Sequence, residues 1–219
     1  MNTMTLSLQP APDSTCDGSI HHQINSLIDT FIASLPDPQA LTREERRGII
    51  ARYTAVLEGN FIYWMTATLL AVQSEDARPI LLENLHEEIR DSHPAMMRRF
   101  AMASHAFPSE ADALAVHEDL TNIRLFLGRL SGVQSLLTMA FFEGFIQRFM
   151  GYLAALAVAQ GSSDMEYTDV HGVCDIAHTA GLFQAYEAES EINPLDPEKD
   201  PLEGVYMLHS LLRTIVFNG

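Results

Sequence analysis

The chain has 219 residues, 47% hydrophobic and 19% charged, with a formal net charge of −16. That length supports one well-formed core and one domain. So negative a chain repels nucleic acid and anionic membrane alike, which leaves an enzyme or an interaction domain whose partner is a small molecule or another protein.

Two cysteines, Cys16 and Cys174, do not make a disulfide framework, so a reducing, cytoplasmic setting is expected. The first fifteen residues show no basic region followed by an apolar run, so no secretory signal is read. The single lysine, Lys199, falls in a proline-rich stretch, which sets lysine chemistry such as a Schiff base aside.

Residues 1–18 read as a flexible tail and 19–219 as one domain. A first helix is expected over 19–35, ended by the PDP at 36–38. Thr42 and Glu45 have capping-box spacing and open a second helix, expected to run to about residue 73. Its apolar stripe is Ala51, Ala55, Glu58, Ile62 and Met65. A third helix covers 76–91. Pro94 suits a first turn, with Ser92 or His93 near the cap, and starts another that runs to about 105. PSEAD at 108–112 opens the next, followed by helices over 118–131 and 133–160. The apolar run 131–160 is interrupted by Glu143, Gln147 and Arg148, so it reads as a buried core helix, not a membrane span. After a turn at 161–164 come helices over 166–190 and 202–217, separated by NPLDPEKDP at 193–201. No stretch alternates with period two. The class is all-α, a single-domain bundle of about seven helices.

The segment HGVCDIAH, 171–178, concentrates the chemistry. At about 100° per residue, His171, Asp175 and His178 fall within about 60° of one another on one helix face. Two imidazoles and a carboxylate on one stripe make half a metal site. Read blandly, the same pattern is a polar helix face. Two glutamates stand on apolar stripes, where a carboxylate must be paired, protonated or metal-bound. They are Glu58 and Glu143, the latter in MAFFEGFIQRFM. Arg52 or Arg98 could pair Glu58, and Arg148 could pair Glu143. His93, at the break RDSHPAMM, reads either as a ligand or as a capping residue. The candidate ligand set is Glu58, His93, Glu143, His171, Asp175 and His178. Mixed N/O ligands favour iron or manganese over structural zinc, and three carboxylates would leave a small positive charge on two Fe(II) ions. Ferritin-like bundles use two Glu-x-x-His pairs; this chain has one, Glu83-x-x-His86. Glu83, His86, Glu87 and Glu88 therefore read as a solvated face, with Glu87 the choice for an extra, transient ligand. Tyr63, Trp64, Phe141, Phe142 and Phe145 lie near the candidate ligands and suit either a substrate pocket for an aromatic ring or ordinary core packing. Cys174 reads as packing.

A glutamate, a histidine 35 residues on, a second glutamate on a long apolar helix and then HxxxDxxH together resemble the haem-oxygenase-like di-iron oxidases and oxygenases, over about residues 40–190. The segment ENLHEEIRDSHP also resembles that family's approach to its first histidine. The resemblance implies a seven-helix bundle holding two Fe(II) ions, with O2 as co-substrate. It implies oxidation of an amino acid, amine or fatty acid, and a possible homodimer. Glu58, His93 and Glu143 match the family's earlier ligands, and His171, Asp175 and His178 its late triplet. One subgroup consumes its own lysine and tyrosine, and a chain with only Lys199 departs from it. Within the family the chain is similar to a nitrile synthase of brominated tryptophan, which suggests a halogenated tryptophan as substrate and natural-product biosynthesis as setting. A metal-free enzyme of the same fold and a non-catalytic helical interaction protein are the other readings.

Overall fold

The computed structural model describes residues 15–217, with side chains described from residue 20 onward except those of residues 173 and 174. Most of the expected tail and the packing role expected of Cys174 lie outside the described residues. Among the described residues all regular structure is helical, in nine helices: α1 Thr15–Ala33, α2 Arg43–Leu57, α3 Asn60–Ala71, α4 Ala77–Arg90, α5 His93–Ala103, α6 Glu110–Leu127, α7 Gly132–Ala159, α8 Glu166–Ile192 and α9 Glu203–Phe217.

Three differences from the sequence expectation have physical causes. The helix expected over 42–73 is two. Glu58 turns to extended backbone (φ −60°, ψ 101°) and Gly59 adopts the left-handed region at φ +82°, a conformation that glycine reaches without steric cost. Asn60 seals the break by donating its side-chain amide to Val56 O and accepting from Arg124 Nε at 2.8 Å. The two helices expected between 108 and 131 are one, α6, opened by a Ser109–Asp112 capping box. Helix α1 starts at Thr15, four residues before the expected 19. The split and the merger cancel, so the described residues hold nine helices, as many as the segments named along the chain and more than the about seven of the expected bundle class.

Helix α7 is the core. It is about 42 Å long at 1.5 Å per residue, and every residue from Gly132 to Ile146 is buried. Burial on all faces follows from its position: α8 packs along it, and α1, α2, α3 and α9 cover the rest. Helix α4 closes over α8, and α5 bridges α2 and α8. Among the described residues no helix is long and apolar enough to cross a membrane.

Candidate metal centre

Four helices bring six side chains into two groups. Glu88 from the last turn of α4, His93 from the start of α5 and His171 from α8 form one. Glu143 from α7 with Asp175 and His178 from α8 forms the other. Within each group, one potential ligand atom per residue lies within 4.8 Å of the others, and all six residues are buried.

Local backbone explains how these residues arrive. Helix α4 ends at Arg90, and Ser92 takes a left-handed turn at φ 57° before Pro94 sets the first turn of α5. A non-glycine residue in that region is sparsely populated and costs about 1–3 kcal/mol. The turn lets consecutive helices direct Glu88 and His93 at each other, with His93 Nδ1 2.6 Å from Glu88 Oε1. On α8, the four-and-three spacing places His171, Asp175 and His178 on its α7-facing side.

The histidines are already oriented. His171 Nδ1–H donates to Tyr167 O at 2.8 Å, which leaves Nε2 with its lone pair. His178 Nε2 contacts Glu87 Oε2 at 2.7 Å, while its Nδ1 faces Glu143 Oε1 at 3.7 Å and Asp175 Oδ1 at 3.8 Å. Among the described residues neither His178 Nδ1 nor Glu143 Oε1 has a hydrogen-bond partner. Buried acceptors that face each other are costly unless a cation stands between them.

Electrostatics agrees. Burial raises the Glu143 pKa well above the usual carboxylate value, and the charges of Asp175, Glu88 and Glu87 raise it further. Burial works against a charged His93, yet the hydrogen bond and charge of Glu88, with Asp175 behind, leave its pKa above the usual value. His171 is pushed down to about 4 by burial and by His93. The site gathers carboxylates whose charge burial and mutual repulsion disfavour, with the His93 ring beside Glu88 placed to offset part of it. Imidazoles and carboxylates in this proportion fit iron.

Of the residues the sequence singled out, His93, Glu143, His171, Asp175 and His178 meet here. Glu87 touches the centre through His178. Glu58 stands apart: as the C-cap of α2 it pairs with Arg98 at a partly exposed position. Its apolar stripe existed only while α2 and α3 were one helix. Glu88 occupies the third place beside His93 and His171. The signal for it was present, because Ala77, Leu81, Asn84 and Glu88 form a buried stripe on α4, the same test that singled out Glu143.

A narrow cleft beside the first group reaches Glu88, His93, His171 and Glu143. Its walls are Leu57, Phe61, Ile62, Met97, Ile146 and Tyr167. The aromatic residues named for a substrate pocket lie elsewhere. Trp64 meets Phe142 edge-on at 5.2 Å, and Phe145 stacks on Phe149 at 4.8 Å. Phe141 is likewise fully buried in the core, and Tyr63 is 44% exposed. None of the five borders the cleft. Sequence reasoning missed the Tyr167 wall, whose hydroxyl pairs with that of Tyr53 at 3.0 Å.

No curated protein matches the chain. The family model described as iron-containing redox enzyme matches residues 50–203, an interval that includes both groups of side chains and the cleft. The chain belongs to this haem-oxygenase-like family of iron-containing redox enzymes.

Proposed function

We propose that the protein is an O2-dependent non-haem di-iron oxidase or oxygenase acting on a small amino-acid-type substrate. The observation that carries the reading is the pair of adjacent buried groups, Glu88/His93/His171 and Glu143/Asp175/His178, each with three potential ligands. One iron is assigned to each group, with two Fe(II) ions as the working cofactor and manganese as the alternative the same donors accept. Bound iron would supply the electrons and open coordination positions that O2 chemistry requires.

The chain's own residues do the rest. Tyr167 O and Glu87 fix the His171 and His178 rings before metal arrives, which lowers the ordering cost of binding. Glu88, Glu143 and Asp175 would neutralise most of the charge of two Fe(II) ions held there. The apolar walls at Phe61, Ile62, Met97 and Ile146 exclude water from the reacting end of the substrate. The most specific form of this reading is conversion of a halogenated tryptophan to an indole-carbonitrile, with Phe61 and Tyr167 as ring contacts.

The cleft itself favours a second form. Among the described residues no arginine or lysine lines it, and its apolar walls suit the hydrocarbon chain of a fatty acid better than the charged end of an amino acid.

Anaerobic Fe(II) titration followed by an O2 pulse tests both. Two irons per chain are expected, with a transient visible band that forms only with one substrate class in a panel of halogenated tryptophans, other amino acids and fatty acids. Mass spectrometry of the product then separates the two forms. Normal iron loading in both Glu143→Ala and His171→Ala would sink the di-iron reading.

A further inference from the structure

A second cleft lies away from the metal centre and shares no wall residue with it. It opens between α2 and the end of α9, with about 520 Å³ of space counted out to solvent. Leu41, Ile49 and Val216 make its walls apolar, and Arg52 stands among them. Arg52 is only 6% exposed.

The guanidinium is under-partnered. Its Nε–H donates to Ile215 O at 2.9 Å, in the last turn of α9. That uses one of five N–H donors. Among the described residues Arg52 forms no ion pair. The carboxylate that acts on it, Asp112, is committed to Arg47 through both oxygens, at 3.0 and 3.1 Å. Burial accordingly draws the Arg52 pKa below the usual arginine value. A buried cation without a counter-ion is expensive, and the more so in a chain where acids outnumber bases.

The backbone is shaped for this side chain. Gly48 lies mid-helix in α2, where glycine costs about 0.5–1 kcal/mol relative to alanine. A Cβ there would come 2.9 Å from Arg52 Nη1. Gly48 gives the guanidinium room to lie flat along the helix. Glu45, on the rim, turns Oε2 into its capping-box bonds with Thr42, and its negative charge there disfavours a multiply charged guest.

We propose that this cleft binds a small monocarboxylate with an apolar tail, the carboxylate on Arg52 and the tail against Ile49, Leu41 and Val216. Planar guanidinium matches carboxylate in paired hydrogen bonds. The proposal does not depend on the metal centre.

The test uses the full chain and 4-methylpentanoate, with 4-methylpentanamide as its neutral isostere and sodium chloride at matched ionic strength. Amide resonances of Ile49 and Val216 are followed by two-dimensional NMR. Saturable shifts are expected with millimolar carboxylate and not with the amide or chloride. Arg52→Gln should raise the dissociation constant about tenfold or more, the loss of a charge-assisted pair. Gly48→Ala displaces the guanidinium without removing it. It should weaken binding several-fold while leaving thermal stability equal or higher, which keeps the test open if Arg52→Gln folds poorly. Absence of saturable shifts, equal shifts with the amide, or wild-type affinity in Gly48→Ala overturns the proposal.

Discussion

Glu87 Oε2 stands 2.7 Å from His178 Nε2 and joins α4 to the helix that carries His171, Asp175 and His178. The contact fixes which His178 nitrogen faces Glu143 and Asp175. Outer partners of this kind tune metal affinity by about 10–100-fold. Glu87→Ala should weaken Fe(II) binding by that factor in an anaerobic titration. Glu87→Gln, which keeps an acceptor oxygen, should recover most of it. An affinity equal to wild type in Glu87→Ala would show that the contact does not orient the ring.

Glu58 and Glu88 are separated by the same experiment. Glu88 is buried beside His93 and His171, while Glu58 pairs with Arg98 at a partly exposed helix end. Glu88→Gln should lower iron stoichiometry from two per chain toward one. Glu58→Gln should keep full loading and cost about 0–1 kcal/mol in stability, the usual worth of an exposed ion pair. The reverse result would return Glu58 to the ligand set.

The contrast shows what the sequence made legible. The HxxxDxxH face of α8 and the Thr42–Glu45 and Pro94 helix starts all follow from local chemistry, and the structure has each of them. Glu58 lies apart from the two groups because the helix breaks at Gly59, although the periodicity continues across it and nothing local requires a glycine to take positive φ. Glu88 was hidden among Glu83, Glu87 and Asp91, where charge density reads as a solvated face. The stripe of Ala77, Leu81 and Asn84 marks Glu88 as the inward acid, and the turn at Ser92 and the packing of α4 on α8 bring it beside His93 and His171. Phe141, Phe142 and Phe145 had a helical spacing that fits a core first and a pocket second, and the neighbours Phe31, Phe149 and Trp64 place Phe142 and Phe145 in the core.

Not every buried acid near α7 belongs to a metal. Glu189 is fully buried, and its Oε2 accepts from Gln73 N and Ser74 N at 2.9 and 2.8 Å, with Asn193 on Oε1. Backbone N–H groups ahead of α4 satisfy it, so it holds the α3–α4 turn in place. Gly132, at the start of α7, leaves room for it: a Cβ there would come 2.4 Å from Glu189 Oε1. Gly132→Ala should therefore destabilise by about 1–3 kcal/mol, as overpacking does. Chemical denaturation measures it, and an unchanged midpoint would refute the close approach.

Acid stability should depend on Asp112. Burial opposes its charge, but Arg47 and the hydroxyl and backbone of Ser109 hold its pKa below the usual 3.8. A carboxylate whose folded pKa is depressed stabilises the fold above its unfolded pKa, and the contribution is lost as pH falls through the folded value. Asp112→Asn keeps the shape, removes the charge opposite Arg47 and should cost about 2 kcal/mol at neutral pH. As pH falls below the unfolded value the gap between the variant and the wild type should narrow, because the unfolded chain's carboxylate binds its proton first, and it should close once pH has passed the lower folded value. Thermal melts from pH 7 to 3 measure both curves. A gap that stays constant over that range would mean that Asp112 acts through its hydrogen-bond geometry alone, since geometry is unaffected by the charge that titrates away.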